Sequence, residues 1–290
     1  ATIQIDVDAG ETSFPLTMNF VGDIILARNY ENDGGIIPTL GVEAIFEPTL
    51  SILGENADIT VANLEAPLTT AETTHPTKPI VFKGSPENVT GLVFAGIDVV
   101  TLANNHVMDY MLPGIQETQL VLSENNILYS GAGANSFEAY QPVFLQKKGV
   151  NIAFLAMSDR TGQYNNYQPY LNAGFNKPGF AYMTPYYILQ QIEEVESVAD
   201  LIVMEMHAGS EYSTSPSHDY DGYFSDSNPY EDHASDRDND IPSNSEEEED
   251  YSPYLDIPHM WDREIRHFAI DSGADIVIVH HPHIIQGVEV

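Results

Sequence analysis

Cysteine is absent from all 290 residues. No disulfide can form and no thiolate can hold a metal, so any bound ion must rest on oxygen or imidazole nitrogen. Basic residues are scarce: 10 lysines and arginines face 44 aspartates and glutamates, a net charge of −34. Such a surface repels phosphate over most of its area, which argues against nucleic acid and anionic membranes as partners. The sequence also lacks any run of 18 apolar residues, so no transmembrane segment is expected. The opening Ala1-Thr2-Ile3-Gln4 has neither the basic nor the apolar character of a signal segment. What is present is a good supply of core material, with 42% apolar residues and 10% aromatics.

The charge is uneven. Between Ser210 and Asp256 there are 15 acidic residues against the single basic Arg237. The stretch from Ser213 to Ser252 has no helical or alternating apolar period, and it contains the run Glu246-Glu247-Glu248-Glu249-Asp250. It reads as an acidic surface insertion, 213–252, in a single domain covering 1–290. Asp236, Asp238, Asp240 and Glu247 have the spacing of an EF-hand loop, which would make the insertion a Ca site. Position six, however, holds Ile241 where such loops need glycine, and a solvated loop is the better reading.

Outside the insertion, short apolar runs alternate with segments of helical spacing. Strands are expected around Met18–Val21, Asp58–Asn63, Asp98–Ala103, Leu128–Tyr129, Gln141–Gln146, Val150–Met157, Leu201–Met206 and Ala274–Val279. Helices are expected over Ala44–Leu53, Val89–Ala95, Gly114–Asn125, Pro185–Val198 and Trp261–Ser272. That alternation implies an α/β fold with a largely parallel sheet core.

Five of these strands end in polar clusters: Gly22-Asp23, Asn63-Leu64-Glu65, Asn104-Asn105-His106, Met206-His207 and His280-His281-Pro282-His283. Loops at the carboxyl ends of parallel strands share one edge of the sheet, where ligands bind. Asp23, Glu65, Asn105, His106, His207, His281 and His283 could therefore converge. Two carboxylates, an amide oxygen and several imidazoles suit Mn, Fe or Zn and are too nitrogen-rich for Ca or Mg. Two such ions sharing a carboxylate would activate water and clamp a phosphoryl or carbonyl oxygen, and a histidine not bound to metal could protonate a leaving group.

Each residue alone has a plainer reading. Asp23 could cap a helix or serve a turn, Glu65 could be a solvated loop carboxylate, and Asn104-Asn105 could form a left-handed turn. His207 alone could be a hydrogen-bonded core histidine. Three imidazoles in the four residues from His280 are harder to explain by packing.

At these same residues the sequence resembles the CapA family, named for bacterial poly-γ-glutamate capsule synthesis and related to the calcineurin-like metallophosphoesterases. The matching stretches run in family order: Phe20–Arg28, Ala62–Leu68, Leu102–Asp109, His207–Tyr212 and Gly273–His283. The resemblance implies a metallophosphoesterase sandwich, with two mixed β-sheets flanked by helices. By the same resemblance Asp23 is a first-metal ligand and Glu65 the bridging carboxylate. Asn105 and His207 are second-metal ligands, and His281 and His283 serve the second and first metals. His106 corresponds to the acid beside the leaving group, Asp109 to its orienter, and Arg28 to a holder of an anionic group.

Three departures accompany it. Ile25 stands two residues after Asp23, where these phosphoesterases usually carry a histidine. The bridging position is Glu instead of Asp, and Ala208 stands where many members have Trp. The chain stops at Val290, before the Ser-Leu-Gly-Asn-Phe-like segment of the family, so a family core cut short at the C-terminus is expected. The implied activity is metal-dependent hydrolysis or transfer on a phosphoester or an amide-linked acidic polymer, at the cell surface or outside the cell, with capsule-assembly partners. The competing expectations are a non-catalytic surface-assembly protein that kept the fold, or a Ca-binding structural protein.

Overall fold

The computed structural model describes residues 2–8, 13–54, 56–159, 171–209, 262–283, 285 and 288. The acidic stretch 213–252, with its EF-hand-like spacing, lies outside the described residues.

The strands are β1 (Thr2–Asp8), β2 (Ser13–Ile24), β3 (Ile59–Leu64), β4 (Val99–Thr101), β5 (Leu128–Ser130), β6 (Ala132–Gly133), β7 (Val143–Lys147), β8 (Val150–Ser158), β9 (Gly179–Phe180), β10 (Leu201–His207) and β11 (Ile276–His280). The helices are α1 (Ile36–Leu40), α2 (Glu43–Phe46), α3 (Leu50–Leu53), α4 (Val89–Phe94), α5 (Met111–Glu124), α6 (Ser136–Ala139), α7 (Pro185–Val195) and α8 (Asp262–Asp271).

One sheet has the order β1-β2-β3-β4-β5 and the other β11-β10-β8-β7. Each has a parallel centre with one antiparallel edge strand, β1 on β2 and β7 on β8. The parallel core expected from the sequence is therefore there, but both sheets are mixed, as the family resemblance implies. A two-stranded ribbon, β6 with β9, lies apart.

Period-two alternation makes the layers. Leu16, Met18, Phe20, Ile59, Val61 and Val99 of the first sheet meet Ile152, Phe154 and Val203 of the second in one shared core. The opposite face of the first sheet packs Ala62, Leu64 and Val100 against Leu92, Ile115 and Leu122 of α4 and α5. That of the second packs Leu155, Met204 and Met206 against Ile188, Ile192 and Ile265 of α7 and α8. The architecture is thus two mixed sheets face to face, flanked by helices.

The single helix expected over Ala44–Leu53 is broken. Pro48 brings no N–H to a continuing helix, and the chain takes one 3-10 turn, Glu47–Thr49, between α2 and α3. At α7, Thr184 accepts the Tyr187 N–H and Pro185 opens the helix, a start legible in the sequence.

Candidate metal centre

The parallel strands of both sheets end at the same rim, and the polar clusters meet there. A register shift places the first carboxylate. Phe20 pairs with Val61 but Asp23 pairs with Asn63, so β2 carries one extra residue at this point. Strict alternation from Leu16, Met18 and Phe20 would turn position 22 inward; the bulge turns Asp23 inward instead. Asn63 meets it, donating from Nδ2 to Asp23 Oδ1 at 2.7 Å. Asn63 is itself fixed, because its Oδ1 accepts from Thr101 Oγ1 at 2.9 Å and Asn104 Nδ2 at 3.0 Å.

Asp23 also accepts the His281 backbone N–H on Oδ2 at 3.1 Å, and His283 Nδ1 lies 3.0 Å from that oxygen. His207 Nδ1 is 3.7 Å from Oδ1. Burial works to raise the pKa of Asp23, but the His283 hydrogen bond, the charges of His207 and His280, and Asn63 together hold it well below the ordinary carboxylate range.

Glu65, which follows β3 directly, is 1% exposed, so the solvated-loop alternative does not hold. Its Oε1 is 3.5 Å from His207 Nε2, and that nitrogen is 3.0 Å from Asn105 Oδ1. The His207 and His281 rings lie 4.7 Å apart, and those of His281 and His283 5.7 Å apart. Two sets of donors result. Glu65, His207 and His281 can bring one ligand atom each within 4.8 Å of one another, and so can Asp23, Glu65 and His283. Glu65 belongs to both.

This donor set fits a pair of divalent ions. The ligands are oxygen and imidazole nitrogen, mostly buried, and the shared carboxylate sits between the two triads. The structure thus brings together Asp23, Glu65, Asn105, His207, His281 and His283, the residues picked out at the strand ends. Neither Asn104 nor Asn105 has a positive φ, so the left-handed turn does not occur. His281 and His283 do, at 88° and 54°, and the bent backbone presents both rings to the basin.

His280 departs from the reading of three equivalent imidazoles. Its Nε2 lies 2.5 Å from Glu205 Oε2, below the basin. Burial alone would lower its pKa, but the Glu205 hydrogen bond and the charges of Glu205 and Asp23 outweigh that and raise it.

Beside the basin is a second polar group. His106 Nδ1 lies 2.7 Å from Asp109 Oδ2, which also accepts the Phe82 N–H. Lys78 Nζ donates to Asp109 Oδ1 and to the Asn105 carbonyl. Burial depresses the pKa of both His106 and Lys78, with Asp109 opposing it in each case. The Phe82 ring stacks on His106 at 3.7 Å and carries the Arg28 guanidinium 4.9 Å from its centroid. Arg28 is exposed with φ +58°, and Ile25 packs into a small apolar cluster with Ala27, Ala66 and Phe82.

Sequence reasoning gave no role to Asn63, Lys78, Phe82 or Glu205. Asn63 was visible as the polar residue two before Glu65. Lys78 lies in the long connection after β3, and no local pattern announces that it folds back onto Asp109.

Fold and site together define a two-sheet α/β protein with a carboxylate–imidazole basin at the strand ends. The family model described as "Bacterial capsule synthesis protein PGA_cap" matches residues 17–225 and 251–290, and the chain belongs to that family. It is 27% identical over 277 residues to the PGA biosynthesis protein CapA of Bacillus subtilis, covering 95% of this chain and 59% of that protein. It is also 27% identical over 282 residues to the capsule biosynthesis protein CapA of Bacillus anthracis, covering 95% and 56%. The chain thus spans less than two thirds of these relatives. Among solved structures, a hypothetical protein from Thermus thermophilus aligns with a TM-score of 0.43 at 14% identity, covering 92% of this chain and 68% of that one. At that score the likeness says nothing of chemistry.

Proposed function

We propose that this chain is a metal-dependent hydrolase or transferase of the metallophosphoesterase type, acting at the cell surface in capsule synthesis. Its substrate is a phosphoester or an amide-linked acidic polymer such as polyglutamate. The observation that carries the reading is the buried Glu65, shared by two donor triads. Asp23, Glu65 and His283 would hold one ion. Glu65, His207 and His281, with Asn105 beside them, would hold the other. The ions are Mn, Fe or Zn by donor type. When bound, they supply Lewis-acid polarisation of the scissile group and a nucleophile at neutral pH.

The protein's own groups do the rest. Asp109 holds the His106 ring through Nδ1, leaving Nε2 to pass a proton to the leaving group. Lys78 fixes Asp109 and the Asn105 carbonyl together, which keeps the acid and a ligand in register. Arg28, exposed above Phe82, meets an anionic part of the substrate. Cations in the basin also offset the repulsion that a chain of charge −34 exerts on an acidic polymer.

A second reading, an assembly protein with one ion and no turnover, is favoured by Ile25. That side chain packs among Ala27, Ala66 and Phe82 and gives the first triad no further nitrogen. Elemental analysis of the purified chain, with turnover of a p-nitrophenyl phosphate ester and of a γ-glutamyl amide before and after chelation, separates the two. Two ions with chelator-sensitive turnover support the enzyme. One ion or none, with no turnover of either substrate, defeats it.

A further inference from the structure

Arg28 stands just beyond β2 and breaks with the residues that lead to it. Leu26 and Ala27 are buried at 1% and 0% exposure, whereas Arg28 turns out to solvent with φ +58°. A left-handed backbone is uncommon for arginine and persists where the surroundings hold it. Here the Arg28 carbonyl accepts the N–H groups of Glu31 at 3.0 Å and Asn32 at 3.1 Å. The guanidinium so presented has no hydrogen bond or ion pair among the described residues. Glu31, the nearest acid along the chain, is engaged elsewhere, accepting from the Ser85 N–H at 2.9 Å and from Asn88 Nδ2 at 3.0 Å. Acidic residues outnumber basic ones 44 to 10, so an arginine left without a carboxylate offers a place for an anion from outside the chain.

The Phe82 ring fixes where that anion lies. His106 stacks on one face, with ring centres 3.7 Å apart and 12° between the planes. The other face is left to the guanidinium, 4.9 Å from the ring centre. Together the two separations hold Arg28 within roughly 9 Å of the imidazole centre. A hydrogen bond of about 2.8 Å at each end leaves at most about 3–4 Å between the two substrate atoms that meet them. Standard bond lengths put the nitrogen and a carboxylate oxygen of one α-amino acid roughly 3 Å apart. The scissile group itself belongs over the donor basin around Glu65, so the anion within this reach is on the departing part.

We propose that Arg28 is a specificity residue for the departing side, taking the carboxylate of a leaving group that is itself an α-amino acid, such as a glutamate unit released from a γ-amide link. The inference rests on the hydrolase reading of the basin and chooses, within it, the amide over the phosphoester. Water supplies OH to the acyl carbon, and the C–N bond breaks with its electron pair on nitrogen. His106 Nε2 gives that nitrogen a proton, which the other hydrogen of the water restores. Phe82, 6% exposed and sandwiched between imidazole and guanidinium, keeps the acid and the anion holder at a fixed spacing. A leaving group without the carboxylate forgoes the bidentate pairing that a guanidinium offers.

The test uses the Mn(II)-loaded full chain and two matched dipeptides: γ-glutamylglutamate, and the same compound with the α-carboxylate of its second residue converted to an amide. Wild type is expected to favour the first by about 10–100-fold in kcat/KM. Arg28→Met, which keeps an apolar stem against Phe82, is expected to bring that ratio near one, and Arg28→Lys, which keeps the charge without the fork, to fall between. Calorimetric titration with glutamate and with its α-amide makes the same comparison without turnover. A ratio near one in wild type, or a preference that survives Arg28→Met, overturns the proposal. Turnover of p-nitrophenyl phosphate with none of either dipeptide overturns the amino-acid leaving group and leaves the metal-dependent hydrolase standing. No turnover of any substrate defeats the hydrolase reading; tighter binding of glutamate than of its amide, lost in Arg28→Met, then keeps the anion subsite, and equal binding removes it.

Discussion

Asp109 and His106 form a pair in which a fully buried carboxylate grips the imidazole at 2.7 Å, three residues apart along the chain. The same carboxylate grips Lys78 with its other oxygen. The two partners differ in what their loss does. His106→Ala removes the proposed proton donor and none of the donor-triad residues, so turnover is expected to fall about 10²–10⁴-fold with bound metal unchanged. Asp109→Ala leaves the Lys78 charge buried without its partner, so it is expected to lower stability by about 3–5 kcal/mol. Steady-state kinetics with elemental analysis reads the first, and urea denaturation the second.

Glu65 is the only residue common to both donor triads. Glu65→Ala should release both ions together, whereas His207→Ala should release one and keep the other. Equilibrium dialysis followed by elemental analysis distinguishes these patterns. Loss of a single ion from Glu65→Ala would show that the carboxylate is not shared.

Gly131 tests how closely the sheets approach. It follows β5 with φ +97°, and a Cβ there would stand 2.7 Å from Ala103 Cβ and 2.9 Å from Ala156 Cβ. Ala103 follows β4 of the first sheet and Ala156 lies in β8 of the second, so the clash sits where the two meet. Gly131→Ala is expected to destabilise by about 1–3 kcal/mol, from backbone strain and overpacking together. The expected sign is a lower denaturation midpoint at unchanged m-value.

A pH dependence of stability resides on α5, away from the basin. Glu117 accepts Thr69 Oγ1 at 2.5 Å, the Thr70 N–H at 2.8 Å and Thr70 Oγ1 at 2.8 Å. Partial burial would raise its pKa, but these bonds hold the carboxyl below its usual value of 4.5. The folded chain therefore binds fewer protons here than the unfolded chain. The contribution is complete above the unfolded pKa and is lost as pH falls through the lower folded one. Glu117→Gln should be less stable than wild type at pH 7, with the difference shrinking on acidification below pH ~4.5. Denaturation midpoints at pH 7, 5 and 4 check this.

The strand ends were the legible part of the molecule. Apolar runs closing on Asp23, Glu65, Asn105, His207 and His281 stood out because chemistry-bearing residues rarely follow buried strands by accident, and parallel topology then dictates that they meet. The family motifs implied the two mixed sheets. What stayed hidden depended on pairings over long sequence separations. The bulge that turns Asp23 inward shows only in its register against β3. Lys78 meets Asp109 from a connection without periodicity, and Glu205 meets His280 across 75 positions. The interruption of the helix between α2 and α3 could have been read from Pro48, since helical spacing says nothing about a missing N–H. β1, an antiparallel edge strand, was not expected either: its short stretch, Thr2–Asp8, alternates polar and apolar residues and has no strand-end chemistry to draw notice.

Asp23, Glu65 and Asn105 hang from one sheet, while His207, His281 and His283 hang from the other. A cation gripped by both groups would be a rivet through a seam otherwise closed by apolar side chains, Phe20 and Phe154 among them. Its departure would be felt first along that seam, as faster amide exchange in β3 and β10, before the outer helices loosen. Scarcity of metal would then reach this protein as a mechanical slackening as well as a chemical loss.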